Sequence, residues 1–158
     1  RRFKAAVAEV APVIEDRGID EIYIDLTNVP GVHDSVGHDA QGGVRAVAIE
    51  IKNNVRRTTG LSCSIGITPN KLLAKIASEL DKPDGLTVVT EHDVATRLSP
   101  LSVRRLNGVG PKSAAKLARL GIATIGELAD SDPAWLRQHC MTMECTATGV
   151  FTITFMDW

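Results

Sequence analysis

Between Gly43 and Thr90 the apolar pattern changes period three times, and few folds can absorb such a run. "GVRAVAIEIKNNVRRTTG", residues 43 to 60, predicts a helix that ends at Gly60. "LSCSIGIT", 61 to 68, alternates and is β-branched, so it predicts a strand. "NKLLAKIASELDK", 70 to 82, is an amphipathic helix stopped by Pro83-Asp84-Gly85, and "LTVVT", 86 to 90, is another strand. Upstream, residues 3 to 15 repeat apolar residues at helical spacing, with Pro12 bending or ending the helix, and "IYIDLT", 22 to 27, is a strand. The order helix, strand, helix, strand, helix, strand predicts a sheet of α/β or split βαβ type with helices on one face. Residues 28 to 43 are a loop by their Gly, Pro, Asp and Asn; His33 and His38 lie in it without a regular ligand pattern and read as surface. After Thr90 the strand signals stop. Residues 106 to 130 are helical with Gly punctuation, so a domain boundary is expected near residue 91.

Charge is distributed unevenly although the net value is only −1. From Glu15 to Asp25 there are five acids and one base; from Arg97 to Arg119 there are six bases and no acid. One region gathers cations and the other faces an anion, or both are solvated surfaces. The three cysteines, Cys63, Cys140 and Cys145, form no C-x-x-C pair, which argues against a disulfide framework or a zinc knuckle. A reducing, cytoplasmic setting fits. No apolar run is long enough to span a membrane.

Three stretches carry candidate chemistry. "GIDEIYIDLTN", 18 to 28, opens a strand with the adjacent acids Asp20 and Glu21, although acids are depleted in strands. Adjacent carboxylates at a turned or bulged strand entry can face one site, and such hard oxygen donors suit Mg²⁺. In isolation a solvated turn explains them better. In "NKLLAKIASELDKPDG" the lysines Lys71, Lys75 and Lys82 stand at spacings of four and seven. They read as a solvated helix face or as point charges for phosphate. In "LNGVGPKSAAKLARLG", Gly108-Val109-Gly110 forms a tight turn, Pro111 suits the first helical position, and the free N–H groups there favour an anion. With Lys112, Lys116 and Arg119 following, and a second helix at "TIGELA", this is a helix-hairpin-helix pattern that grips a nucleic-acid phosphate.

The three stretches, in this order, resemble the Y-family translesion DNA polymerases, in particular the DNA polymerase IV branch. The family reads S-I-D-E-A-Y-L-D where this chain has Gly18 to Asp25, and S-I-G-x-x-x-N-K-x-x-A-K-I-A-S-x-x-x-K-P-x-G where it has Ser64 to Gly85. The likeness covers roughly residues 1 to 139. It implies an α+β fold: a partial palm sheet (split βαβ, ferredoxin-like) with helices on one face over residues 1–90, then a small all-α thumb with a helix-hairpin-helix over 91–139. It implies a template-directed DNA polymerase that bypasses damage by Mg²⁺-dependent nucleotidyl transfer to a primer 3′-hydroxyl. Asp20 and Glu21 would be catalytic ligands of a two-metal Mg²⁺ site, and Lys82, with Lys75 behind it, would contact the triphosphate of a deoxynucleoside triphosphate. Gly108, Val109, Gly110 and Lys112 would hold primer–template DNA, and a sliding clamp is a further partner in the family. The family's first aspartate, in a D-M-D-x-F-F-like strand, and its little-finger domain have no counterpart in these residues. Residues 140–158 lose the family pattern and are expected to pack poorly. These departures predict a fragment inactive alone, and leave as the alternative a non-catalytic DNA-binding module that keeps the helix-hairpin-helix.

Overall fold

A computed structural model describes residues 2–139. The reading of residues 140–158 lies outside the described residues. The chain forms two compact units that divide between Val89 and Thr90.

The first unit opens with α1 (Arg2–Ala8), which buries Phe3, Ala6 and Val7 at helical spacing and packs against α2 (Gly42–Thr59). The apolar period of residues 3 to 15 predicts a helix bent or ended at Pro12. The helix ends before Pro12, where Val10 and Ala11 close onto the Val7 carbonyl, and Ile14–Asp16 form strand β1 rather than more helix. Pro12 has no N–H to give a helix and disfavours helical backbone in the residue before it, so the apolar residues after it extend. β1 pairs antiparallel with β2 (Ile22–Ile24), in the register Ile14↔Ile24 and Asp16↔Ile22. β2 is buried at all three positions, Tyr23 included.

Helix α2 (Gly42–Thr59) buries Val44, Val47, Ala48, Ile51 and Val55. It ends where Gly60 takes φ +77° and returns its N–H to the Arg56 carbonyl, a left-handed cap that glycine adopts without strain. The one buried amide on its inner face, Asn54, donates to the Ala6 carbonyl at 2.6 Å and to Glu9 at 2.7 Å. β3 (Ile65–Ile67), α3 (Lys71–Leu80) and β4 (Leu86–Val88) complete a βαβ unit with β3 and β4 parallel, Gly66 opposite Thr87. Asn70 caps α3 by accepting from the Leu73 N–H at 3.0 Å. A side chain at position 66 would stand 2.3 Å from both the Ala74 carbonyl oxygen and the Ser78 nitrogen, so the glycine of the S-I-G motif lets helix backbone lie directly on the strand. Among the described residues the four strands form two two-stranded ladders rather than the single sheet that the alternating pattern suggested. One core nevertheless joins Ile22, Ile24, Ile51, Val55, Ile65 and Ile67.

The second unit begins with a capping box, in which Thr90 and Asp93 satisfy each other's backbone. The one-turn α4 (Glu91–Asp93) runs into a π-helical turn over Val94–Leu98, and a 3₁₀ turn spans Val103–Arg105. α5 (Pro111–Arg119), α6 (Ile125–Ala129) and α7 (Pro133–His139) follow. Leu98, Val103, Leu106, Val109, Leu117, Ile122 and Ile125 are buried here. Among the described residues no helix is long and apolar enough to cross a membrane.

Candidate functional site

The β1–β2 hairpin turns over Arg17–Glu21, closed by the Arg17 N–H on the Glu21 carbonyl at 3.1 Å. Gly18 sits there at φ +142°, a conformation side chains rarely adopt. Lys4 reaches up from α1 and donates to Asp16 Oδ2 and to the Gly18 carbonyl, each at 2.6 Å. The Lys4 bond, with the Gly18 N–H beside it, holds the Asp16 carboxyl below its ordinary range.

This turn answers why a buried strand should begin with Asp-Glu: both acids precede the ladder. Asp20 lies in the turn, exposed, and has no hydrogen bond or ion pair among the described residues. Glu21, half-buried, ends the turn as the chain enters β2. Its Oε2 lies 3.1 Å from Lys75 Nζ. Lys75 also lies 3.5 Å from Glu79, one turn on, while Lys71 pairs with Glu15 of β1. The lysines of α3 therefore face the acids of the hairpin. Burial opposes the Lys75 ammonium, but its bond to Glu21, that carboxylate's charge and Glu79 outweigh burial and raise its pKa. Burial, and then the Glu21 charge, push the Tyr23 phenol up as well. Arg17 lies over the Tyr23 ring at 5.3 Å and Lys71 at 5.9 Å.

Of the residues singled out in the sequence, Asp20 and Glu21 lie on this hairpin, and Lys75 and Lys71 pair with its Glu21 and Glu15. Lys82 stands elsewhere, exposed, just beyond the C-terminal end of α3. Among the described residues no group of three or more His, Cys, Asp or Glu is placed to hold a metal ion. Asp20 and Glu21 fit as part of a site for a hard cation: both offer carboxylate oxygens, and the Asp20 oxygens are uncommitted. The pairing of Glu21 with Lys75 had no local sequence signal, because 54 positions separate the two.

In the second unit the turn before α5 has two unlike glycines. Gly108 takes φ +89° and is held there by backbone preference. Gly110 takes φ −75° as the N-cap of α5, with nothing within 4 Å of a modest side chain, so ordinary residues fit it in this structure. Val109 is buried and its N–H donates to the Leu106 carbonyl at 3.1 Å. It anchors the turn, and an anion would meet the N–H groups around it. Lys112 is exposed on the first turn of α5.

The profile of the impB/mucB/samB family matches residues 1–79, half of the chain. The chain belongs to the impB/mucB/samB family. Relatives of this family member include DNA polymerase IV of Moorella thermoacetica, 41% identical over 128 residues that cover 81% of this chain and 30% of the relative. DNA polymerase IV of Halorhodospira halophila is 38% identical over 154 residues, 95% of this chain and 41% of the relative. The chain thus spans well under half the length of the relatives it matches. Among solved structures, a Y-family DNA polymerase chimera aligns with TM-score 0.75 and 27% identity, over 89% of this chain and 39% of the other. An insertion ternary complex of Dbh DNA polymerase aligns with TM-score 0.73 and 28% identity, over 88% and 38%. The mixture of helices and small sheets in this family member is that of Y-family polymerase domains.

Proposed function

We propose that this chain supplies part of the catalytic palm, residues 1–90, and a helix-hairpin-helix thumb, residues 91–139, of a template-directed DNA polymerase of the damage-bypass type. The observation that carries the reading is the Asp20-Glu21 pair, presented on a hairpin turn opposite the lysines of α3. Asp20 and Glu21 would be two of the ligands that hold Mg²⁺, which would supply a lowered pKa at a coordinated oxygen and offset charge on phosphate oxygens. The buried β2 fixes the backbone from which Glu21 projects. Lys75 neutralises Glu21 from the neighbouring helix and stands close enough to offer its charge to a phosphate entering there. Lys82 holds the triphosphate of an incoming deoxynucleoside triphosphate. Gly108, Val109, Gly110 and Lys112 grip the backbone of primer–template DNA without reading bases. A sliding clamp as partner and a cytoplasmic location go with the same role.

The test has two arms. In the 158-residue chain, Mn²⁺ or Mg²⁺ titration followed by NMR should move amide signals around residues 18 to 23, and Asp20→Ala with Glu21→Ala should abolish those shifts. In primer extension by the whole gene product, Asp20→Ala should cost at least about 10²–10³ in rate, the usual worth of one electrostatic element. Unchanged extension would sink the reading. DNA binding that persists without any metal response would favour the non-catalytic binding module instead.

A further inference from the structure

The segment between α3 and β4 is only five residues long, Asp81 to Gly85, and it carries Lys82. It is held at both ends. At the near end, Asp81 accepts a hydrogen bond from the Thr87 hydroxyl. At the far end, Gly85 donates its N–H to Ser64 Oγ at 3.1 Å. A side chain at Gly85 would stand 2.2 Å from the Asp81 carbonyl oxygen, so the two ends are pressed together. Lys52 of α2 spans the rest. Its ammonium donates to Asp84 Oδ1 at 2.7 Å, to the Asp84 carbonyl at 2.9 Å, to the Gly85 carbonyl at 3.3 Å and to the Cys63 carbonyl. The side chain is only 16% exposed, and its pairing with Asp84 and the three carbonyls compensates that burial. Arg56, one turn further along α2, pairs with the other oxygen of Asp84 at 2.5 Å. Asp84 itself takes φ +52°, a conformation open to Asp and Asn but strained for most residues. Lys82 and Pro83 are thereby the exposed crest of a loop whose two feet are fixed.

We propose that Lys52 is a positioning residue for the nucleotide: through Asp84 it sets the loop so that Lys82 presents its ammonium to a triphosphate. Lys52 touches no ligand in this scheme. The inference rests on the reading of Lys82 given above. Three strong acceptors of the Lys52 ammonium lie within the loop, so its removal frees the loop rather than one contact. A lysine used only for general charge would need none of this burial.

Calorimetric titration of the full chain with inorganic triphosphate decides the matter, because the field of the protein and the placement of the loop predict opposite results. Lys82→Ala should weaken binding about tenfold, the loss of one charge-assisted contact. Lys52→Met should weaken it about fivefold, and less than about twofold when Lys82 is already alanine, since residues acting through one another are not additive. Asp84→Asn removes a negative charge, so the field alone would tighten triphosphate binding. It also weakens the hold of Lys52 and Arg56 on the loop, and positioning requires binding about threefold weaker. Because asparagine suits the backbone of position 84, this variant keeps the test open even where Lys52→Met fails to fold. Tighter or unchanged binding by Asp84→Asn would overturn the role of Lys52 while leaving Lys82 in place. No effect of Lys82→Ala, or no binding by the unaltered chain, would overturn the reading of Lys82 and the inference with it.

Discussion

The two units treat their positive charges in opposite ways. In the first, most of the inward-reaching cations are matched, Lys4 with Asp16, Lys52 and Arg56 with Asp84, Lys71 with Glu15, Lys75 with Glu21 and Glu79, while Lys82 stands exposed. Arg17 with Glu15 and Arg45 with Asp39 add two further pairs of the first unit. In the second, Arg104, Arg105, Lys112, Lys116 and Arg119 stand exposed on turns and on α5. Paired charges hold backbone in place, while unpaired ones leave a field for a polyanion. The difference teaches that the count of charges is a poor guide here. What matters is whether the fold supplies a partner. It does so for many cations of the unit proposed to need exact placement, and leaves Arg104, Arg105, Lys112, Lys116 and Arg119 exposed in the other.

The largest effect expected belongs to the buried frame of the first unit. Gly66→Val would drive side-chain atoms into the backbone of α3 at Ala74 and Ser78. The cost should be about 3 kcal/mol or more, beyond ordinary overpacking, because helix backbone cannot move aside as a side chain does. Urea denaturation should show the loss. A drop of under half that size would mean that α3 can lift off β3, and that the ordered charges of this unit rest on a looser frame than the structure describes.

A smaller effect sharpens the contrast from the other side. Fluorescence anisotropy with duplex DNA at several salt concentrations should give steeply salt-dependent binding, and Lys112→Ala should lower the salt slope by about 1. Gly110→Val should weaken binding more than Arg105→Ala does. Position 110 has room and an ordinary backbone in this structure, so the loss would report on clearance for the phosphate and not on strain. Equal losses from the two changes would point to a diffuse basic surface in place of a gripped phosphate.

The smallest effect is an acid one. The Lys52 bond, with Arg56 behind it, holds the Asp84 carboxyl below its ordinary value. A carboxyl depressed in the folded state adds stability above its unfolded pKa and loses that stability as pH falls through the folded one. Acid unfolding of the unaltered chain should therefore contain a contribution below about pH 4 that Asp84→Asn lacks. Because the pair is partly solvated, it should be worth less than about 1 kcal/mol and shrink in salt. The same stability difference at every pH would show that Asp84 holds the loop by shape alone.

Much of the local structure was legible because local chemistry decides it. The apolar period from Gly43 to Thr59 and the left-handed residue at Gly60 determine α2. Asn70 and the spacing of Leu73, Ala74, Ile76 and Ala77 determine α3, and the Gly108 turn with Pro111 determines the start of α5. The motif from Ser64 to Gly85, in order with the stretches at Gly18 and Leu106, indicated the family. What the tertiary structure decided lies at long range. Residues 14 to 16 carry a weak signal of their own, and only pairing with β2 makes them a strand. Lys71 and Lys75 read alone as a solvated helix face; they become partners of Glu15 and Glu21 because α3 packs on β3, and β3 shares one core with β2. Nothing local marks Lys52, and the acceptors of its ammonium come from residues 32 and 33 positions later in the chain. Periodicity reports which side of a helix is buried, whereas ion pairing depends on what the fold sets opposite, and the energy of a pair appears only when both partners arrive.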